Sequence, residues 1–170
     1  ILEINRLESD KVVIEKINFN LSELTENIVT SFKEFIHENN IKCHLDIDKS
    51  IDFNLKGDPT KLSQILINLL NNAIKFSKNG DVWCTIKKRQ ETTENATLYF
   101  EIKDNGIGID KEFHDKIFVI FQRLHTKQEY SGSGMGLAIV KKIIENLNGT
   151  IWVESEVNKG STFHFTLPKK

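Results

Sequence analysis

The dipeptide Asp58-Pro59 is the feature that most constrains the fold of this chain. Asp supplies a capping oxygen and Pro wastes no amide hydrogen in a first turn, so a helix is expected from residue 59 to about residue 77, ended by Asn79-Gly80. Two strands should follow, over 82–88 and 97–103, separated by the polar loop 90–95. A long segment rich in Gly and polar residues runs from 104 to 136, with at most one short helix near 111–118. A helix over 135–147 and strands over 150–156 and 162–167, joined at Asn158-Lys159-Gly160, complete an alternating α and β pattern. Upstream, 12–19 reads as a short strand. Asn20 with Glu23 reads as a capping box for a helix whose apolar face is Leu24, Ile28, Phe32, Phe35 and Ile36. Residues 41–47 alternate as a half-buried strand.

Composition narrows the classes. A chain of 170 residues buries roughly 70% of the surface its unfolded form exposes, enough to stand on one apolar core. A net charge of −1 leaves no basic footprint, and nucleic acid is not expected as a partner. Cys43 and Cys84 are too few for a disulfide framework and read as reduced, partly buried thiols, which points to a reducing, cytoplasmic compartment. Apolar runs such as Ile117 to Phe121 are too short to span a bilayer. The chain opens at Ile1 within a helical pattern, with apolar side chains at 1, 4 and 7 that break at Ser9-Asp10. We expect it to be a fragment, residues 1–10 being the end of a longer helix; whether the parent is anchored in the inner membrane stays open.

Three motifs carry chemistry. Asn68, Asn71 and Asn72 interrupt an apolar helix, and Asn68 and Asn72, four apart, share one face with Lys75 close to the same stripe. Two amide oxygens and an ammonium there suit a cation and its phosphates, or merely a neighbouring backbone. Asp104-Asn105-Gly106-Ile107-Gly108-Ile109 places an acceptor at a strand end beside backbone that can approach a ligand, or simply makes a turn. Gly132-Ser133-Gly134-Met135-Gly136-Leu137 leads into a helix, with amides free to face phosphate oxygens. Its spacing is not G-x-G-x-x-G and no P-loop occurs, so the two commonest nucleotide motifs are disfavoured.

Taken in order, Asn68…Asn72, Asp104-x-Gly106-x-Gly108, Phe118-x-x-Phe121 and Gly132-x-Gly134-x-Gly136-Leu137 resemble the four boxes of the histidine protein kinase catalytic domain. The likeness covers nearly the whole chain, and Phe121-Gln122-Arg123-Leu124-His125 is similar to the lid of phytochrome-like and hybrid sensor kinases. It implies the Bergerat ATP-binding fold, an α/β (α+β) two-layer sandwich with a mixed sheet on about three helices and a mobile lid. It further implies a catalytic domain over 11–170 that binds ATP or ADP with Mg²⁺. By the resemblance, Asp104 accepts the adenine amino hydrogen, with Gly106, Gly108 and Ile109 around the base. Asn72 ligates Mg²⁺, and Asn68 and Lys75 meet the metal's phosphate shell. Gly132, Ser133, Gly134, Met135, Gly136 and Leu137 line the triphosphate, and Arg123 reaches the γ-phosphate from the lid. Phe118 and Phe121 anchor the lid or fill the core, and Ser161 stands where the wider superfamily has a water-bridging Thr.

The same resemblance implies γ-phosphoryl transfer to a histidine on an adjacent dimerisation hairpin, then relay to a response regulator. None of His37, His44, His114, His125 or His164 has a phosphoacceptor context, so the fragment lacks its own acceptor and is expected to be monomeric within a homodimeric parent. Competing readings are a clamp ATPase of the chaperone, gyrase and mismatch-repair type, an anti-sigma serine kinase, and a degenerate domain that binds without transferring phosphate.

Overall fold

The computed structural model describes residues 13–77, 79–90, 96–119 and 134–169. The chain begins with β1 (Ile17–Asn20), α1 (Leu21–Ser31), α2 (Lys33–Glu38), β2 (Lys42–Ile47) and β3 (Asn54–Gly57). It continues with α3 (Pro59–Phe76), β4 (Asp81–Gln90) and β5 (Ala96–Asp104), then 3₁₀ turns at Lys111–Phe113 and Lys116–Phe118. It closes with α4 (Gly136–Asn146), β6 (Thr150–Glu156) and β7 (Gly160–Lys169).

A five-stranded sheet in the order β2-β4-β5-β7-β6 carries the fold. Only β2 and β4 are parallel; the other pairs are antiparallel. A parallel pair needs a crossover, and α3 supplies it. Strand alternation sends Cys84, Ile86, Phe100, Ile102 and Phe165 to one face, each fully buried, where Phe100 and Phe165 stack with centroids 4.4 Å apart. Against them lies α3, whose buried Leu62, Ile65, Leu66, Leu69, Ala73 and Ile74 recur at helical spacing, followed by the buried stripe Ile139, Val140, Ile143 and Ile144 of α4. This is a mixed sheet layered on helices, as expected. The opposite face is polar and aromatic: His164 stacks between Trp152 and Tyr99, and the Tyr99 hydroxyl bonds both His164 and Glu101.

Three local expectations change, and one strand, β3, was not expected. The helix expected after Asn20 starts there, with Asn20 Oδ1 accepting from Glu23 N at 3.0 Å, but it breaks at Phe32 into α1 and α2. Ser31 Oγ donates to Ile28 O at 2.6 Å and Phe32 N turns back to Val29 O, local bonds that compete with the helical ladder. The strand expected over 12–19 shrinks to β1, because its partner β3 ends at Gly57 and the next residue turns away to cap α3; Glu15 N donates to Asp58 Oδ2 instead. β3 itself, with only Leu55 buried among its four residues, is too short to show an alternation. The short helix expected near 111–118 is two 3₁₀ turns. Cys84 is buried and Cys43 half-buried, both free; burial pushes the Cys84 thiol up to about 12, so it stays an inert thiol. Among the described residues no helix is long and apolar enough to cross a membrane.

Candidate functional site

Asp104 ends β5 on the buried face of the sheet and is 5% exposed. Its Oδ1 accepts from Gly106 N at 2.9 Å and from Ser161 N at 3.3 Å. Its Oδ2 accepts no hydrogen bond among the described residues, so one carboxylate oxygen is held by backbone and the other is available to a donor. Burial pushes the carboxyl above the ordinary range, and the Gly106 and Ser161 N–H groups, with the nearby Ser77 hydroxyl, pull the other way. Ser77 lowers it from close by without reaching hydrogen-bond geometry, for Ser77 Oγ is buried and has no partner among the described residues.

The turn after Asp104 fits only because it lacks side chains. A Cβ on Gly106 would stand 2.2 Å from Phe76 O, at the end of α3. Gly108 has φ +71, and its Cβ would stand 2.0 Å from Glu156 O. The segment is clasped from both sides: Ile107 N donates to Phe76 O, Asn158 N to Ile107 O at 2.7 Å, and Ile109 N to Ser155 Oγ at 2.8 Å. Ser155 Oγ also bonds Gly160 O and Ser161 Oγ. Ser161 therefore meets Asp104 through its backbone N–H, and its hydroxyl faces Ser155.

The polar stripe of α3 lies at the other end of this region. Asn68 Nδ2 donates to Gln64 O at 2.8 Å, the local backbone bond that the sequence left open, and this leaves Oδ1 directed at α4, 2.9 Å from where a Cβ on Gly136 would be. Asn72, one turn on and half-buried, makes no side-chain hydrogen bond among the described residues. Lys75 places Nζ 4.6 Å from the centroid of Phe76. Among the described residues no side chain caps α4 at Met135, which leaves its first amides to an acceptor, beside Gly134, Gly136 and Leu137. From Asn68 to Phe76 the helix advances about 12 Å. One end of that span faces the uncapped helix start and the other faces Asp104. No group of three or more His, Cys, Asp or Glu among the described residues is placed to hold a metal; a cation that takes amide and phosphate oxygens fits Asn72 and Asn68 instead.

The structure thus brings Asp104, Gly106, Gly108, Ile109 and Ser161 together at the C-terminal end of α3, and Asn68 and Gly136 at its middle. Phe118 packs edge-on to Phe163 with centroids 6.3 Å apart, at the margin of the core. Phe121, Arg123, Gly132 and Ser133 lie outside the described residues. Three contributors had not been singled out: Ser77, Ser155, and Asn105, whose Oδ1 accepts from Asp81 N at 2.8 Å. Ser and Asn beside a helix end or a turn read as ordinary loop residues, and only the tertiary contacts give them a place.

The profile of the Histidine kinase-, DNA gyrase B-, and HSP90-like ATPase family matches residues 57–170. The phytochrome-like protein Cph1 of Synechocystis sp. is 43% identical over 148 residues, 87% of this chain and 19% of that protein. Full-length ShkA, solved in complex with AMPPNP, superposes with a TM-score of 0.85 at 25% identity, over 98% of this chain and 34% of that one. Histidine kinase ThkA, solved in complex with response regulator protein TrrA, superposes with a TM-score of 0.72 at 30% identity, over 99% of this chain and 47% of that one. This chain therefore spans less than half the length of each, and it belongs to the Histidine kinase-, DNA gyrase B-, and HSP90-like ATPase family.

Proposed function

We propose that this chain is the ATP-binding catalytic domain of a sensor histidine kinase, over residues 11–170, with 1–10 the end of an upstream dimerisation helix. The observation that carries the reading is Asp104: a buried carboxylate with one oxygen fixed by two backbone N–H groups and the other open among the described residues, beside the end of a helix whose middle meets the start of α4. A nucleoside triphosphate laid along α3 presents an exocyclic amine to Asp104 and its phosphates to the amides of α4. Gly106 and Gly108 let the turn after Asp104 close against Phe76 and Glu156, which holds the carboxylate in place, and the helix start favours the phosphate charge.

Mg²⁺ bound at this site would neutralise phosphate charge in the transferring group. Asn72, with Asn68 a turn away, would hold it, since a hard cation that keeps several waters needs only one or two protein oxygens. Lys75 supplies a positive charge near the same stripe, and Arg123 reaches the γ-phosphate from the lid. In the transfer the bond from the γ-phosphorus to the bridging oxygen breaks as a bond to an imidazole nitrogen forms, and the imidazole proton goes to a base next to the acceptor. Acceptor and base both belong to a dimerisation hairpin of the homodimeric parent, and the phosphoryl group then passes to a response regulator. The ShkA and ThkA complexes support the nucleotide and the regulator respectively.

Calorimetric titration with ADP and a non-hydrolysable ATP analogue, with and without Mg²⁺, tests the reading. Micromolar binding that prefers adenine over guanine and strengthens with Mg²⁺ for the triphosphate is expected. Asn72→Ala should abolish the Mg²⁺ enhancement while the protein melts as before. Equal affinity for ATP and GTP removes Asp104 from base recognition, and no binding at millimolar nucleotide ends the kinase reading.

A further inference from the structure

Ser77 is 2% exposed, and its Oγ has no hydrogen-bond partner among the described residues. A buried hydroxyl left unpaired costs stability, so it calls for a reason to be there. The common local solution, a bond back to a helical carbonyl three or four residues earlier, is not taken. Its backbone is fixed: Ser77 is the C-cap of α3, its N–H bonds Ile74 O, and the neighbouring Phe76 O accepts from Ile107 N. What remains free is rotation of one side chain among three staggered positions.

The hydroxyl borders the Asp104 turn, since a Cβ on Gly106 would stand 2.9 Å from Ser77 Oγ. Asp104 Oδ1 already holds two backbone donors, whereas a carboxylate has about four acceptor positions in all. We infer that Ser77 is a positioning residue for Asp104, its hydroxyl donating to the carboxylate in the nucleotide complex and holding Oδ2 toward the exocyclic amine of adenine. This rests on the reading of Asp104 as the base acceptor. Among the described residues the neighbours of Asp104 in the sheet and the turn are uncharged, Val82 on β4, Ser161 on β7 and Gly106. Among the described residues no charge contributes to its raised pKa, so loss of the Ser77 donor should raise it further.

The test is calorimetric titration of the whole chain with ADP across a pH series, for the native protein, Ser77→Ala and Ser77→Thr, with apo melting of each. Ser77→Ala should weaken ADP about tenfold. It should also move the acid limb of the affinity profile to higher pH, with apo melting unchanged or raised because an unpaired buried hydroxyl has gone. Ser77→Thr, which keeps the hydroxyl, should restore affinity and the position of the limb. Native affinity and an unmoved limb in Ser77→Ala overturn the proposal while leaving Asp104 standing, provided Asp104→Asn still loses ADP. A folded Ser77→Thr that binds as weakly as the Ala variant also overturns it, as does an apo destabilisation of Ser77→Ala matching its loss of affinity. Failure of the native chain to bind ADP overturns both this role and that of Asp104.

Discussion

Two buried aspartates stand at opposite ends of the same helix, and they are built differently. Asp58, 7% exposed, caps the start of α3: Oδ1 accepts from Lys61 N at 2.9 Å and Oδ2 from Glu15 N at 3.0 Å. Both oxygens are used and the group ties the start of α3 to the segment that leads into β1. Asp104, equally buried, places both of its backbone donors on Oδ1 and leaves Oδ2 open among the described residues. A carboxylate with every oxygen satisfied by its own chain has nothing to offer a ligand, whereas one held from a single side is fixed in direction and still able to accept. The difference separates a structural acid from a recognition acid more sharply than burial does.

The backbone around Asp104 is the most vulnerable part of that contrast. Gly160 has φ +95, and a Cβ there would stand 2.0 Å from Asp104 O, so Gly160→Ala should cost on the order of 3 kcal/mol in chemical denaturation. A loss below 1 kcal/mol would mean that β7 can move away from Asp104 freely. Next in size, Asp104→Ala should weaken adenine nucleotides by roughly ten- to hundredfold in calorimetry, the range for a hydrogen bond to a charged group. Asp58→Ala should instead lower stability by about 2 kcal/mol and leave the affinity of the folded protein unchanged. If the two variants exchanged these phenotypes, the contrast between the acids would be wrong.

The smallest effect is one of pH. Burial raises the Asp104 pKa in the folded chain, so its contribution to stability is fully present below the ordinary carboxylate pKa and is lost as pH rises through the raised value. Nucleotide affinity runs the other way, because the amine needs the ionised oxygen: it should fall as pH drops through that raised value, by up to tenfold per unit. Asp104→Asn should abolish the limb, and a limb that survived would belong to another group.

Much of the fold was legible in the sequence because its signals are local. Asp58-Pro59 sets the start of α3, the alternation of residues 98–103 sets the faces of β5, and Asn158 with Gly160, both at positive φ, turns β6 into β7. The order of the Asn, Asp-Gly and Gly-rich motifs named the family before any geometry was known. The break at Phe32 was not legible, since the apolar stripe continues across it and a serine side chain ends the ladder. β3 was not legible either, because four residues carry too little periodicity and its pairing with β1 is a contact between distant segments.

The sequence by itself determined which residues could accept, ligate or approach a nucleotide, because residue type and spacing fix chemistry and helix face. Only the tertiary structure decided which oxygen of Asp104 is spent on the backbone, that Asn68 Oδ1 faces the start of α4, and that Ser77 lies buried and unpaired beside the carboxylate. Those facts depend on β5, β7 and the end of α3 converging from distant positions in the chain. A hydrogen bond a few tenths of an ångström too long is lost, so local pattern nominates an acceptor and packing decides whether it is free.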